Sequence, residues 1–150
     1  MGRSYSLDFL DTNTVSTTMG GIVSAATIRP RIYDFVIGSA ATPGDQAASY
    51  HLERFTTAGT STAVVAQALD PGDPATLLAA TTGENHTVEP GYTTDAIMAN
   101  WTVNQRATFR WVAREGKEIV LPATAAAGIG IITRVVTSAY TVRITVHEEE

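Results

Sequence analysis

The chain contains no cysteine, only one lysine (Lys117) and few charges, with Asp, Glu, Lys and Arg making up 17% of its 150 residues. Without thiols there can be no disulfide staples, thiolate nucleophiles or cysteine metal ligands, so the fold has to hold by packing. Long apolar runs are also missing. None approaches the roughly 20 residues that a membrane-crossing helix needs, and the opening MGRSYSLDFL lacks the unbroken apolar core of a signal peptide. Basic residues are too sparse for sequence-independent nucleic-acid binding, because a formal charge of −5 leaves no basic stripe to release phosphate counterions.

Catalytic patterns are equally scarce. No serine lies in a G-x-S-x-G elbow, and no glycine motif cradles a phosphate. The acid pairs Asp70/Asp73 and Glu115/Glu118 fall at turns, where solvated charge is ordinary. His51 and Glu53, two residues apart, share one face of an extended segment and could begin a metal site, but no third ligand accompanies them. His86 and His147 read as surface residues. The expectation is therefore no enzyme activity, no cofactor, no metal and no small-molecule substrate.

What the chain does have is alternation. From Ala107, the residues Ala107, Phe109, Trp111 and Ala113 fall on one side and Thr108, Arg110, Val112 and Arg114 on the other, the period-two pattern of a strand buried on one face. Ile97, Ala99, Trp101 and Val103 alternate in the same way. A hairpin through Asn104-Gln105 is predicted to join these two strands, and a second hairpin is predicted at Glu115-Gly116-Lys117, before Ile119–Leu121. Further strands are predicted at Ile32–Ile37, Tyr50–Phe55, Ala63–Leu69 (antiparallel to the one before), Ile129–Val136 and Tyr140–Val146. Gly20-Gly21 is read as a separator, and Asp70-Pro71-Gly72-Asp73-Pro74 as the strongest turn. Ala75–Ala80 fits either a helical turn or a strand, and 83–95 reads as a long loop.

Eight or nine strands with no amphipathic helix define an all-β, two-layer antiparallel sandwich. A jelly roll matches the count best, although an immunoglobulin-like order would carry a similar number. Residues 1–18 read as an N-terminal arm or edge strand and 19–150 as a single sandwich domain. Arg106, Arg110 and Arg114 recur every fourth residue and are predicted to project from one strand face. There they would either be solvated or form oriented pairs with acidic groups of a partner.

The segment YHLERFTTAGT (50–60), Asp70-Pro71 with Pro74-Ala75, Gly116-Lys117-Glu118-Ile119, Gly128-Ile129-Gly130 and a final alternating strand ending in Glu together resemble small β-sandwich virion proteins of tailed bacteriophages, the capsid decoration or cement type. The resemblance covers most of the chain after Ile22. It implies a jelly-roll-like structural protein at the capsid surface, made in the host cytoplasm, whose partners are the major capsid protein and copies of itself in a homotrimer. A carbohydrate-binding sandwich with Trp101 or Trp111 as a stacking platform is the main alternative, and a tail or neck component is another.

Overall fold

A computed structural model describes residues 2–150, in which no α-helix occurs and two antiparallel sheets pack face to face. The first sheet contains Ser4–Thr12 (β1), Arg31–Ala41 (β3), Gln67–Ala68 (β6), Phe109–Val112 (β9), Ile119–Val120 (β10) and Thr141–Glu149 (β12). The second contains Thr18–Val23 (β2), Ala47–Thr57 (β4), Thr60–Ala63 (β5), Gly83–Val88 (β7), Gly91–Asn104 (β8) and Gly128–Val136 (β11). Leaving β5, β6, β7 and β10 aside, the orders are β9-β3-β12-β1 and β2-β11-β4-β8, with the chain changing sheets from β1 to β2, β2 to β3, β3 to β4, β8 to β9, β9 to β11 and β11 to β12. This is the interleaved double Greek key of a jelly roll.

The alternation seen in the sequence points the core side chains inward. Tyr5, Leu7 and Phe9 of β1 meet Val142, Ile144 and Val146 of β12, and Ile32, Phe35 and Ile37 of β3 complete that layer. Tyr50 and Leu52 of β4, Ile22 of β2 and Ile129 and Ile131 of β11 face them from the second sheet. Phe109 and Trp111 turn inward onto this core as expected, Trp111 stacking on Phe35 and Phe109 packing against it at a tilt.

Several expectations are corrected. Of the two readings of the N-terminal segment, arm or edge strand, residues 4–12 form a strand: β1 pairs with β12 from Ser4↔Glu149 to Thr12↔Thr141, and on its other side only the two-residue β6 pairs with it. The strand at Asn104 does not double back within one sheet, since β8 pairs with β4 and β9 with β3. The segment at Glu115-Gly116-Lys117 is an outward loop in one interrupted edge strand, because β9 and β10 both pair with β3. Gly116 does take the left-handed conformation there, at φ 73°. Residues 63–69 pair with β7 and β1 rather than β4. Ala75–Ala80 is neither helix nor strand, and the supposed loop at 83–95 forms β7 and the start of β8.

The last of these corrections exposes a second, smaller core. β4 and β5 run on as one bent strand paired with the equally bent β8 and β7, from Ala47↔Asn104 through Thr57↔Gly91 to Thr60↔Val88 and Ala63↔Gly83. Because β7 also reaches β2 at Gly21, this double strand folds over the outer face of its own sheet. Val23, Phe55 and Ala58 are buried beneath it with Tyr92 and Ala79. The run Gly128-Ile129-Gly130-Ile131 serves both layers: its isoleucines enter the main core, while its glycines leave room for Phe55 and the Tyr92 hydroxyl. Gly20 is likewise a strand residue, needed because a Cβ there would sit 2.7 Å from the Phe9 ring.

A Cβ at Gly128 would meet the Ile22 carbonyl and come within 2.7 Å of the Phe55 ring. Gly128→Ala is therefore expected to destabilise the fold by about 1–3 kcal/mol in urea unfolding, the usual range for overpacking. At Gly116 nothing lies within 4 Å, and Asn tolerates positive φ, so Gly116→Asn should change stability by about 0.5 kcal/mol or less.

Candidate functional site

The three arginines predicted to form one row are dispersed. Arg106 sits at the corner after β8, where its N–H donates to Asn104 Oδ1 at 3.0 Å. Arg114 lies in the outward loop, its carbonyl accepting from Lys117 N–H. Arg110, on β9, turns to Asp34 of β3 and holds it with two bonds, Nε to Oδ1 at 3.0 Å and Nη2 to Oδ2 at 2.8 Å.

His147 of β12 completes this group. Its Nδ1 lies 3.1 Å from Asp34 Oδ2, and its ring stacks on Tyr33 at 6.0 Å. Three adjacent strands are thus riveted on the outer face of the first sheet by one buried carboxylate, 4% exposed. The Arg110 guanidinium, with help from His147, holds the Asp34 carboxyl below the usual aspartate range against the opposing pull of burial. Sequence spacing could not reveal partners 76 and 113 residues away. A charged residue inside the apolar run Ile32–Ile37 was the available signal.

On the second sheet, the His51–Glu53 pair expected on one face is present, with His51 Nδ1 4.0 Å from Glu53 Oε2. A protein cation already serves it: Arg134 of β11 bonds Glu53 and also donates from Nε to His51 Nδ1 at 3.2 Å. Burial first, and the nearby guanidinium second, push the His51 imidazole below its ordinary value. The cluster reads as a satisfied charge network rather than a ligand set.

The main core holds two further polar features. Asn13, fully buried, donates from Nδ2 to the Tyr50 hydroxyl at 3.0 Å and accepts Tyr140 N–H at Oδ1 at 2.9 Å, tying the β1–β2 connection to the start of β12. Glu148 of β12 is fully buried, and neither of its carboxylate oxygens has a hydrogen-bond partner among the described residues. Burial, reinforced by Glu150 and Glu149, pushes its carboxyl up to about 8.

Two surface regions stand apart from these internal networks. The excursion between β5 and β7 exposes Val65 (66%), Leu69 (53%) and Leu77 (48%) around a groove of about 210 Å³ lined by Ala63–Ala66, Ala75 and Leu78–Ala80. The other is an open cleft of about 440 Å³ between the edges of the two sheets, lined by Met98 and Ala99 of β8, Trp111, Ile119 and Val120 of β9 and β10, Arg29, Arg54 and Glu118. Trp101 is only 8% exposed and stacks between Tyr50 and Phe109, so of the two indoles considered as platforms only Trp111 lines a cleft. No protein-family model, curated protein or solved structure matches this chain.

Two of the buried carboxylates, Glu148 and Asp34, set opposite limbs of the pH–stability profile. Glu148 is held in its neutral form, so folding retains a proton that the unfolded chain releases near 4.5. Stability from this group is intact below that value and falls by about 1.4 kcal/mol per pH unit up to about 8. Asp34 acts in the opposite sense, stabilising the fold above the ordinary value of 3.8 and losing that contribution as acid titrates it in the folded state. Urea unfolding across pH should show Glu148→Gln flattening the decline between pH 5 and 8, and Asp34→Asn weakening the loss below pH 4. A Glu148→Gln profile parallel to wild type would show that this carboxyl is not held neutral.

Proposed function

We propose that this protein is a structural virion component, a jelly-roll domain that binds a capsid lattice and stabilises it by bridging adjacent shell subunits. The observation that carries the reading is the apolar excursion between β5 and β7. Val65, Leu69 and Leu77 are held out in solvent on a segment whose backbone is tied down, with Val64 N–H bonded to Thr82 O, Leu69 N–H to Ser4 O and Leu77 N–H to Glu150 Oε1. Exposed apolar side chains on an ordered segment match a protein-binding face. The low overall charge suits a chain that lies against neighbours on most sides. The resemblance in its turns and final strand to capsid decoration proteins supports the same reading, with a homotrimer as the bound form. Many weak contacts repeated over a lattice would supply the affinity.

Purified protein mixed with undecorated shells should bind to saturation and raise the temperature at which the shells break. Val65→Glu and Leu77→Glu should weaken that binding at least tenfold while leaving the isolated domain's melting temperature nearly unchanged, since both side chains are solvated. Light scattering should give a trimer. Shells that gain neither bound protein nor heat resistance would overturn the proposal.

A further inference from the structure

The cleft between the sheet edges is independent of the excursion between β5 and β7, and its chemistry is of a different kind. Its floor is aromatic and apolar. Trp111 stacks one face on Phe35 at 5.4 Å and also lines the cleft, beside Met98, Ala99 and Ile119. Its charged lining is Arg29 and Arg54 against the single carboxylate of Glu118, although the chain as a whole carries −5. The arginine–carboxylate pairs among the described residues are Arg110–Asp34, Arg134–Glu53 and Arg143–Asp8, which leaves Arg29 and Arg54 without a carboxylate within 4.0 Å.

Arg54 is oriented rather than loose. Both its Nη1 and Nη2 donate to the Val120 carbonyl at 3.2 Å, which fixes the guanidinium at the cleft wall with donors to spare. Glu118 is held locally, its Oε1 accepting Gly116 N–H at 2.9 Å. Hydrogen bonds from its own and the Gly116 backbone keep it ionised below the usual glutamate range. An aromatic plane, two guanidinium groups and one positioned acceptor thus converge on a space of about 440 Å³, within the ordinary size of a small-ligand pocket.

From this constellation we infer that the cleft binds an acidic sugar, a uronic- or sialic-acid residue of a glycan, with its ring against Trp111, its carboxylate between Arg29 and Arg54, and a hydroxyl donating to Glu118. The indole supplies a flat apolar platform for the C–H face of the ring. Guanidinium groups pair with a planar carboxylate in a directed, bidentate way. A carboxylate acceptor beside two arginines selects a ligand that carries hydroxyl donors as well as one negative charge, which favours a sugar acid over a plain anion. An acidic peptide would meet the arginines equally well but would place no hydroxyl opposite Glu118.

The site does not depend on the proposed shell binding: its residues lie on β4, β8, β9, β10, the residue before β10 and the connection from β2 to β3, and none of them lines the groove of the excursion between β5 and β7. The test is titration of the full chain with galacturonic-acid trisaccharide, its neutral galactose counterpart and a penta-glutamate peptide, followed by tryptophan fluorescence and by backbone amide shifts in NMR. The acidic trisaccharide should saturate, quench Trp111 emission and shift the amides of Met98, Trp111 and Glu118, with affinity falling as salt is raised. Arg29→Glu, an exposed residue, should reduce affinity at least tenfold with no change in melting temperature. Glu118→Gln should weaken the sugar while sparing any binding of the peptide. No saturable response to the acidic sugar, equal binding of the neutral sugar, or tighter binding of penta-glutamate would each overturn the assignment.

Discussion

The fold depends on an aromatic seam that fastens one sheet to the other. Phe35 of β3 packs against Trp101 at 5.5 Å, Phe109 at 6.1 Å and Trp111 at 5.4 Å, while Trp101 of β8 stacks on Tyr50 at 5.9 Å and on Phe109 at 5.1 Å. Each such ring buries roughly 150–250 Å², and at about 25 cal/mol per Å² the seam contributes more than any polar contact in the molecule. It also decides topology. Trp101 and Phe109 belong to consecutive strands, yet they stack face to face across the sandwich, so the connection between them has to turn a corner. Gln105 sits at that corner, fully buried, its Oε1 accepting Gly44 N–H at 2.8 Å and its Nε2 donating to Ser138 O at 3.0 Å.

With the two layers fastened, the outer faces can be specialised. The first sheet carries the Asp34 rivet. The second carries Arg134 with Glu53 and His51, and then a fold of its own edge over Phe55 and Tyr92. In both networks the arginine is the more exposed member, its side chain 61% exposed at Arg110 and 33% at Arg134, and the carboxylate is buried at 5–6%. This division lets the cation keep part of its hydration while the acid is satisfied internally, which limits the desolvation cost of a buried pair. Edges are managed as well: β6 and β10 are two residues each, β9 and β10 are separated by an outward loop, and β8 is bulged with Asp95 at φ 59°.

The sequence revealed the sandwich through period-two alternation, most clearly at Ile97–Val103, Ala107–Arg114 and Tyr140–Val146. It did not reveal which strands are neighbours. A turn signal such as Asn104-Gln105 says that the chain changes direction, and it is silent on whether the next strand joins the same sheet or the opposite one. Residues 83–95 read as loop because β7 and the start of β8 are paired through backbone and expose Asn85, Thr87, Thr93 and Thr94, leaving little hydrophobic pattern. Gly20 looked like punctuation, yet it is a strand residue whose missing side chain accommodates the Phe9 ring, and Gly130, read within a strand, makes the same kind of room for the Tyr92 hydroxyl. The candidate surfaces were less legible still. Arg29, Arg54, Trp111 and Glu118 meet only because strands from both sheets end at one cleft.

Function follows from what packing leaves free. The core consumes Trp101, Tyr50 and the isoleucines, the rivets consume Arg110 and Arg134, and what remains outside is an apolar excursion at one place and an arginine-flanked aromatic cleft at another. The cleft presupposes the jelly-roll order, since a meander joining β8 to β9 in one sheet would abolish it and the Trp101–Phe109 stack together. The most direct measurement is an NMR map of cross-strand contacts in the isolated protein. Backbone NOEs linking Leu7 to Val146, Tyr50 to Trp101 and Phe35 to Trp111, with ring NOEs between Trp101 and Phe109, are the predicted result. Backbone NOEs pairing 97–103 directly with 107–113 as a hairpin would contradict it.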